Sequence, residues 1–185
     1  ENFRPETLPN GSSIHKNLIG KFKNEVKRQG ALPFVRHHNI KYGGQFPIWV
    51  AVELFTFGML GSLFDLMREN DQRAVSREYN LSPESLSRLI ASAVDVRNIC
   101  AHYNRLYNRV LEEQPLLPNR LHLYESDRLF PLLLAFAHVL GRERVLNRLI
   151  TGLSLLETDF PEADLSLCGF PEDWRSILEA EAAQA

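Results

Sequence analysis

The stretch Arg97–Arg109, RNICAHYNRLYNR, holds three arginines, three asparagines and a histidine, with no acidic residue. It sits inside a longer apolar periodicity that predicts a helix. Ser82-Pro83-Glu84 is the start signal: a capping hydroxyl, a proline in the first turn, and an acid near the positive helix end. Pro115 and Pro118 forbid continuation, so the predicted helix runs from Ser82 to about Leu111. Each residue turns about 100°, so with Asn98 at zero His102 falls at about 40°, Arg105 at about -20° and Arg109 at about 20°. Arg97 lies about 140° from His102 on the same wheel. The opposite arc, from Leu86, Leu89 and Ala93 through Ile99 and Cys100 to Tyr103, Leu106, Tyr107 and Val110, belongs in a core. One flank between arc and stripe carries Ile90, Val94 and Ala101 beside Arg97, an apolar margin suited to contact with a second copy.

Working outward, the other elements are helical too. Ile14, Leu18, Phe22 and Val26 share a face of a helix capped by Ser12 or Ser13 and ended at Gly30. A connector with Pro33, His37, His38 and Gly43-Gly44 follows. Adjacent histidines diverge on a helix, so His37 and His38 make a poor chelating pair and face solvent or support other groups. From Pro47, PIWVAVELFTFGMLGSLFDLM reads as one central helix buried on most sides. It is barely long enough for a membrane span, and it carries Glu53. A buried Glu53 would need a partner, as a structural anchor or as support for a polar site. Further helices are expected at Asp71–Tyr79, Asp127–Leu140, Arg142–Glu157 and Glu172–Ala182, with Gly141 as a junction. No alternation of period two persists, so the fold class is all-α. The expected organisation is an irregular lead-in over 1–13, a helical domain over 14–160, and an acidic extension with a short helix over 161–185.

The 185 residues suffice for a real core, and the 44% hydrophobic and 24% charged composition is that of an ordinary globular chain. Cys100 and Cys168 fit no metal or redox spacing and read as free thiols of a reducing compartment. No secretory leader precedes the chain, which starts at Glu1 and reads as a fragment or a processed product, so the expected location is cytoplasmic. The net charge of -2 does not point to nucleic acid, yet the charge is polarised. From His15 to Lys41 seven Lys and Arg face Glu25 alone, whereas after Gly152 Arg175 stands alone among acids.

Guanidinium forks pair bidentately with phosphate, and a histidine among them can transfer protons near neutral pH. That equipment suffices to cleave RNA without a metal: the 2′-hydroxyl is the nucleophile, histidine moves protons and arginine stabilises charge at phosphorus. The stretch offers no carboxylate cluster of the kind magnesium prefers, and no cofactor is expected. Periodicity alone does not separate this reading from a solvated helix face on which His102 fills space.

Arg97-Asn98-Ile99-Cys100-Ala101-His102 resembles the R-x4–6-H signature of the HEPN superfamily, including the polar residue after the arginine. The longer string RNICAHYNRLYNR, with PIWVAVELFTFG before it and CGFPEDW near the end, resembles the Abi-like family (AbiD/AbiF type) of phage abortive infection, over about Phe34 to Trp174. The resemblance implies a HEPN-like helical bundle with a long central motif-bearing helix, homodimers whose motifs meet at the interface, and a metal-independent endoribonuclease. Arg97 and His102 carry over as the catalytic pair and Asn98 as their polar neighbour. Arg105, Asn108 and Arg109 match the string as substrate contacts. The implied partners are RNA, a second copy, and an RNA or protein antitoxin. Members of the family usually have a further helical region with tyrosine and arginine positions before this part, a region not expected in the sequence from Glu1 onward. HEPN domains also include inert members, so a non-catalytic module that binds RNA or protein is the alternative.

Overall fold

The computed structural model describes residues 13–140 and 143–183, and no strand occurs among them. The expected lead-in, Ser13 apart, and the Gly141 junction lie outside the described residues. The chain divides between Gln72 and Arg73 into two compact units.

The first unit contains α1 (Ile14–Arg28), α2 (Pro33–Lys41), α3 (Ile48–Ala51), a 3-10 turn (Val52–Leu54), α4 (Phe57–Leu66) and the start of α5 (Glu69–Arg77). α1 and α4 pack through Leu18, Met59 and Leu66, with Ile14, Phe22, Phe55 and Leu63 around them. Ser13 is the N-cap of α1, but its side chain makes no capping bond. The apolar run from Pro47 is not one helix. It stops at Leu54, Phe55 is extended, and Thr56 caps a new start by accepting the Met59 N–H at 3.3 Å. A threonine oxygen that satisfies an orphan N–H competes locally with continuing the previous helix. Glu53, expected to be buried, is exposed on the 3-10 turn, so burial demands no partner for it.

The second unit holds α6 (Pro83–Ala101), a 3-10 segment (Asn119–Tyr124), α7 (Phe130–Leu140), α8 (Glu143–Asp159), a 3-10 turn (Leu165–Cys168) and α9 (Trp174–Ala182). α7, apolar on nearly every side, packs on α6, α8 and α9. Its Phe130 meets Phe170 at a tilt of 52° with ring centroids 5.0 Å apart, and Phe170 meets Trp174 edge-on at 5.8 Å. The acidic segment after Pro161 thus supplies Cys168, Phe170, Trp174 and Leu178 to this core. Ser82 caps α6 as its sequence predicts, accepting the Ser85 N–H at 3.0 Å. Asp127 does not start α7: its carbonyl accepts the Leu111 N–H at 2.9 Å, and the helix begins at Phe130. No helix of the described residues is long and apolar enough to cross a membrane.

Candidate functional site at the end of α6

The motif helix ends ten residues earlier than its periodicity predicts, at Ala101, not Leu111. His102 is the C-cap, with its N–H still bonded to the Asn98 carbonyl at 3.1 Å. Tyr103 then turns left-handed, with φ at 55°. The Tyr103 N–H reaches the Cys100 carbonyl at 3.1 Å and the Asn104 N–H reaches the Ile99 carbonyl at 3.0 Å. These bonds form a Schellman closure, which usually places glycine where Tyr103 stands. A bulky side chain in this region carries strain, and it sits beside the candidate catalytic histidine.

The expected core arc holds over the helix only as far as Ile99. Leu86, Leu89, Ala93 and Ile99 are buried, whereas Cys100, Tyr107 and Val110 are exposed and Tyr103 is 99% exposed. The stripe of Asn98, His102, Arg105 and Arg109 does not form on one helix either, because Arg105 and Arg109 follow the turn. Tertiary contacts hold that following loop. The Tyr107 hydroxyl donates to the Asp164 carbonyl at 3.2 Å and accepts the Asp164 N–H at 3.0 Å. Asn108, left-handed at φ 53°, accepts from the Arg128 guanidinium at 3.0 Å, and its N–H points at the Cys168 sulfur at 3.5 Å. Farther along, α6 draws the chain back: Arg88 donates to the Gln114 carbonyl at 3.0 Å, and Asp95 accepts the Glu112 N–H at 3.4 Å. These contacts outweigh a continuing helical pattern, which is only a weak prior.

The structure brings Arg97, Asn98 and His102 together over the last turn and cap of α6. Arg97 is exposed and donates to the Asn98 side-chain oxygen at 2.7 Å, so the pair presents a guanidinium held at its base. His102 is exposed. Arg105 and Arg109 are exposed on the loop, and Asn108 is occupied by Arg128. Glu53 belongs to the first unit. Among the described residues, no carboxylate pairs with Arg97, His102, Arg105 or Arg109. An exposed group of cations with no paired carboxylate among the described residues is available to an anion such as a phosphodiester.

Arg128 is the residue that sequence reasoning missed here. Its side chain lies on Gly169, where an added Cβ would stand 2.7 Å from the Arg128 Cβ, and Gly169 itself has φ 83°. Only glycine meets both demands. Cys168-Gly169-Phe170 thereby acquires a local reason: a sulfur against the motif loop, a close passage for Arg128, and a core anchor. The block was visible in sequence, but its contact with Asn108 spans 60 residues.

A family model described as Abi-like protein matches residues 1–108. That span contains the Pro47–Gly58 and Arg97–Asn108 blocks and stops before Arg109 and Cys168–Trp174. Neither a curated protein nor a solved structure matches the chain.

Proposed function

The chain belongs to the Abi-like protein family, and from that premise we propose that it is a metal-independent endoribonuclease of phage abortive infection or a toxin–antitoxin-like defence system, with a HEPN-type site. The observation that carries this reading is the end of α6, where the helix is capped at His102 and leaves Arg97 and His102 exposed, with no carboxylate among the described residues paired to either.

The chemistry is a displacement at phosphorus. The ribose 2′-oxygen attacks, its proton passes to a base, and the 5′-oxygen leaves with a proton from an acid, giving a cyclic phosphate end and a 5′-hydroxyl end. His102 serves in one of these proton transfers, and Arg97 draws the non-bridging oxygens and stabilises their growing charge. Arg97 and His102 do not lie on one line of the helix, so a second copy completes the site. The flank of Ile90, Val94 and Ala101 beside Arg97 is the surface for that association. Arg105 and Arg109 extend the cationic face along the substrate. Asn108, already engaged by Arg128, supports the loop that carries them.

The test is cleavage of RNA in EDTA by the parent protein, His102→Ala and Arg97→Ala. Proton transfer by a positioned side chain contributes about 10²–10⁴-fold, and His102→Ala should lose a factor of that order. Equal cleavage by parent and variant would overturn the reading. Cleavage by neither would leave a binding module. Val94→Glu should weaken self-association in sedimentation, and an unchanged oligomer would put the interface elsewhere.

A further inference from the structure

A second feature, in the first unit, has no part in that chemistry. The last turn of α2 and the chain after it build an aromatic groove. Gly43 and Gly44, with φ at 60° and 79°, reverse the chain, and Phe46 returns to stack on His38 at 5.1 Å and 16°. His38 donates from Nδ1 to the Phe34 carbonyl at 2.9 Å, because a carbonyl can only accept, and its ring is thereby fixed as a floor. Tyr42 leans on His38 at 5.3 Å and on His37 at 5.5 Å. Trp49 stands 72% exposed along the same groove, whose volume is about 680 Å³, and Gln45 adds an amide. Across His37 lies a smaller hollow of about 380 Å³ bordered by Arg36 and Lys41. The Lys41 ammonium also sits 5.7 Å over the Tyr42 ring. No acidic residue occurs among the described lining residues of either hollow.

Exposed rings, Tyr42 packed on His37 and His38 and Trp49 open beside them, next to cations and with no acid among the described lining residues, have the chemistry that single-stranded nucleic acid recognises. Bases stack on aromatic faces while the backbone follows the positive charge. An apolar protein anchor would gain nothing from Arg36 and Lys41, and the stretch from His15 to Lys41 is basic throughout, with Glu25 as its lone acid. We infer that this groove binds a single-stranded RNA segment, with bases stacked against Tyr42 and Trp49 and phosphates beside Arg36 and Lys41. The choice of RNA as the polymer rests on the ribonuclease reading; the stacking chemistry does not. A stacking site in the first unit, separate in sequence from the cleavage motif, would select unpaired RNA.

The test uses the full chain carrying His102→Ala, so that binding is read without cleavage. Trp174 is 4% exposed and Trp49 is open, so quenching of tryptophan fluorescence reports on Trp49. Titration with an oligo-adenylate RNA should quench it, and the same strand annealed to its complement should not. AMP should bind at least about tenfold more weakly than the strand. By anisotropy of a labelled strand, Trp49→Ala and Tyr42→Ala should each weaken binding on the order of tenfold, whereas Trp49→Phe retains it. Lys41→Gln should lower the salt slope of binding by about one ion. Equal binding of duplex would overturn stacking in favour of charge alone, and equal binding of AMP would make this a mononucleotide pocket. RNA that binds without quenching, or no RNA binding, would return the groove to a protein partner. Thermal unfolding of each variant excludes loss of fold, a small risk at exposed Trp49. Quenching without cleavage by the parent would remove the ribonuclease and keep the groove; cleavage without quenching would do the reverse.

Discussion

Two groupings of arginine and histidine stand in the second unit, and they differ in what surrounds them. In one, Arg120 and His138 converge on Glu181, which is only 2% exposed. Arg120 reaches the carboxylate through both terminal nitrogens, one of them at 2.6 Å. His138 approaches it at 2.8 Å from Nδ1. The carboxylate only accepts, so Nδ1 carries the proton, and the nearby Arg120 nitrogen at 3.3 Å makes no hydrogen bond to it. In the other, Arg97 and His102 stand exposed, and the Asn98 amide oxygen is the only side-chain hydrogen-bond partner of either among the described residues. The same residue types have opposite consequences. Where a buried acid absorbs the donors, they join α9, α7 and the Asn119–Tyr124 segment. Where no described acid pairs with them, they remain available to an external anion.

The largest expected effect of breaking this contrast is at the buried grouping. Arg120→Ala leaves Glu181 buried with one donor fewer and should cost about 3 kcal/mol by denaturant unfolding, the low end for a broken buried pair because Arg120 itself is half exposed. The same grouping sets a pH dependence. Burial pushes the Glu181 carboxyl up, but the bonds and charges of Arg120 and His138 together outweigh it and hold it below its ordinary 4.5. A carboxylate lowered on folding stabilises the fold above its unfolded value and loses that contribution as pH falls through the folded one. Unfolding followed below about pH 4.5 should therefore show a steep loss in the parent that Glu181→Gln flattens. Equal slopes would mean that the pair does not couple to folding.

A smaller effect is expected where Arg128 and Cys168 hold the motif loop. Gly169→Ala forces a Cβ against Arg128 and a positive φ on alanine, and should cost about 2 kcal/mol. It should also loosen Arg128 from Asn108 and lower cleavage. Full activity after this change would show that the loop needs no such tether. The smallest effect concerns Tyr103. Glycine relieves its left-handed strain, and because the ring is 99% exposed little burial is lost, so Tyr103→Gly should stabilise by about 0.5 kcal/mol. Lower activity with higher stability would assign that strain to holding His102 in place.

Much of the fold was legible in the residues. The all-α class followed from periodicity, and the start of α6 from Ser82-Pro83 and its capping hydroxyl. The end of α6 was not legible, because the residue that turns left-handed is a tyrosine and no proline or glycine marks the place. The loop after it is set by Asp164, Cys168 and Arg128, partners whose distance along the chain hides them from any local pattern. The Pro47 run misled for the opposite reason: its apolar continuity concealed a break made by one threonine oxygen. Arg97, Asn98 and His102 were singled out by the family resemblance of their string, since periodicity alone did not separate them from a solvated face. The Arg120, His138 and Glu181 grouping was not, because 61 and 43 residues separate its members from the acid. In the first unit, His37, His38 and the glycine pair were each visible, but the return of Phe46 onto His38 was a tertiary event.

The account turns on His102 being exposed for chemistry and not for folding. The most direct measurement is the rate of RNA cleavage in EDTA by His102→Ala and by the parent, alongside the unfolding free energy of both. The account predicts a loss of roughly 10²-fold or more in rate, with stability changed by less than about 0.5 kcal/mol as for other exposed positions. An undiminished rate, or a rate lost only in proportion to lost folded protein, would contradict it.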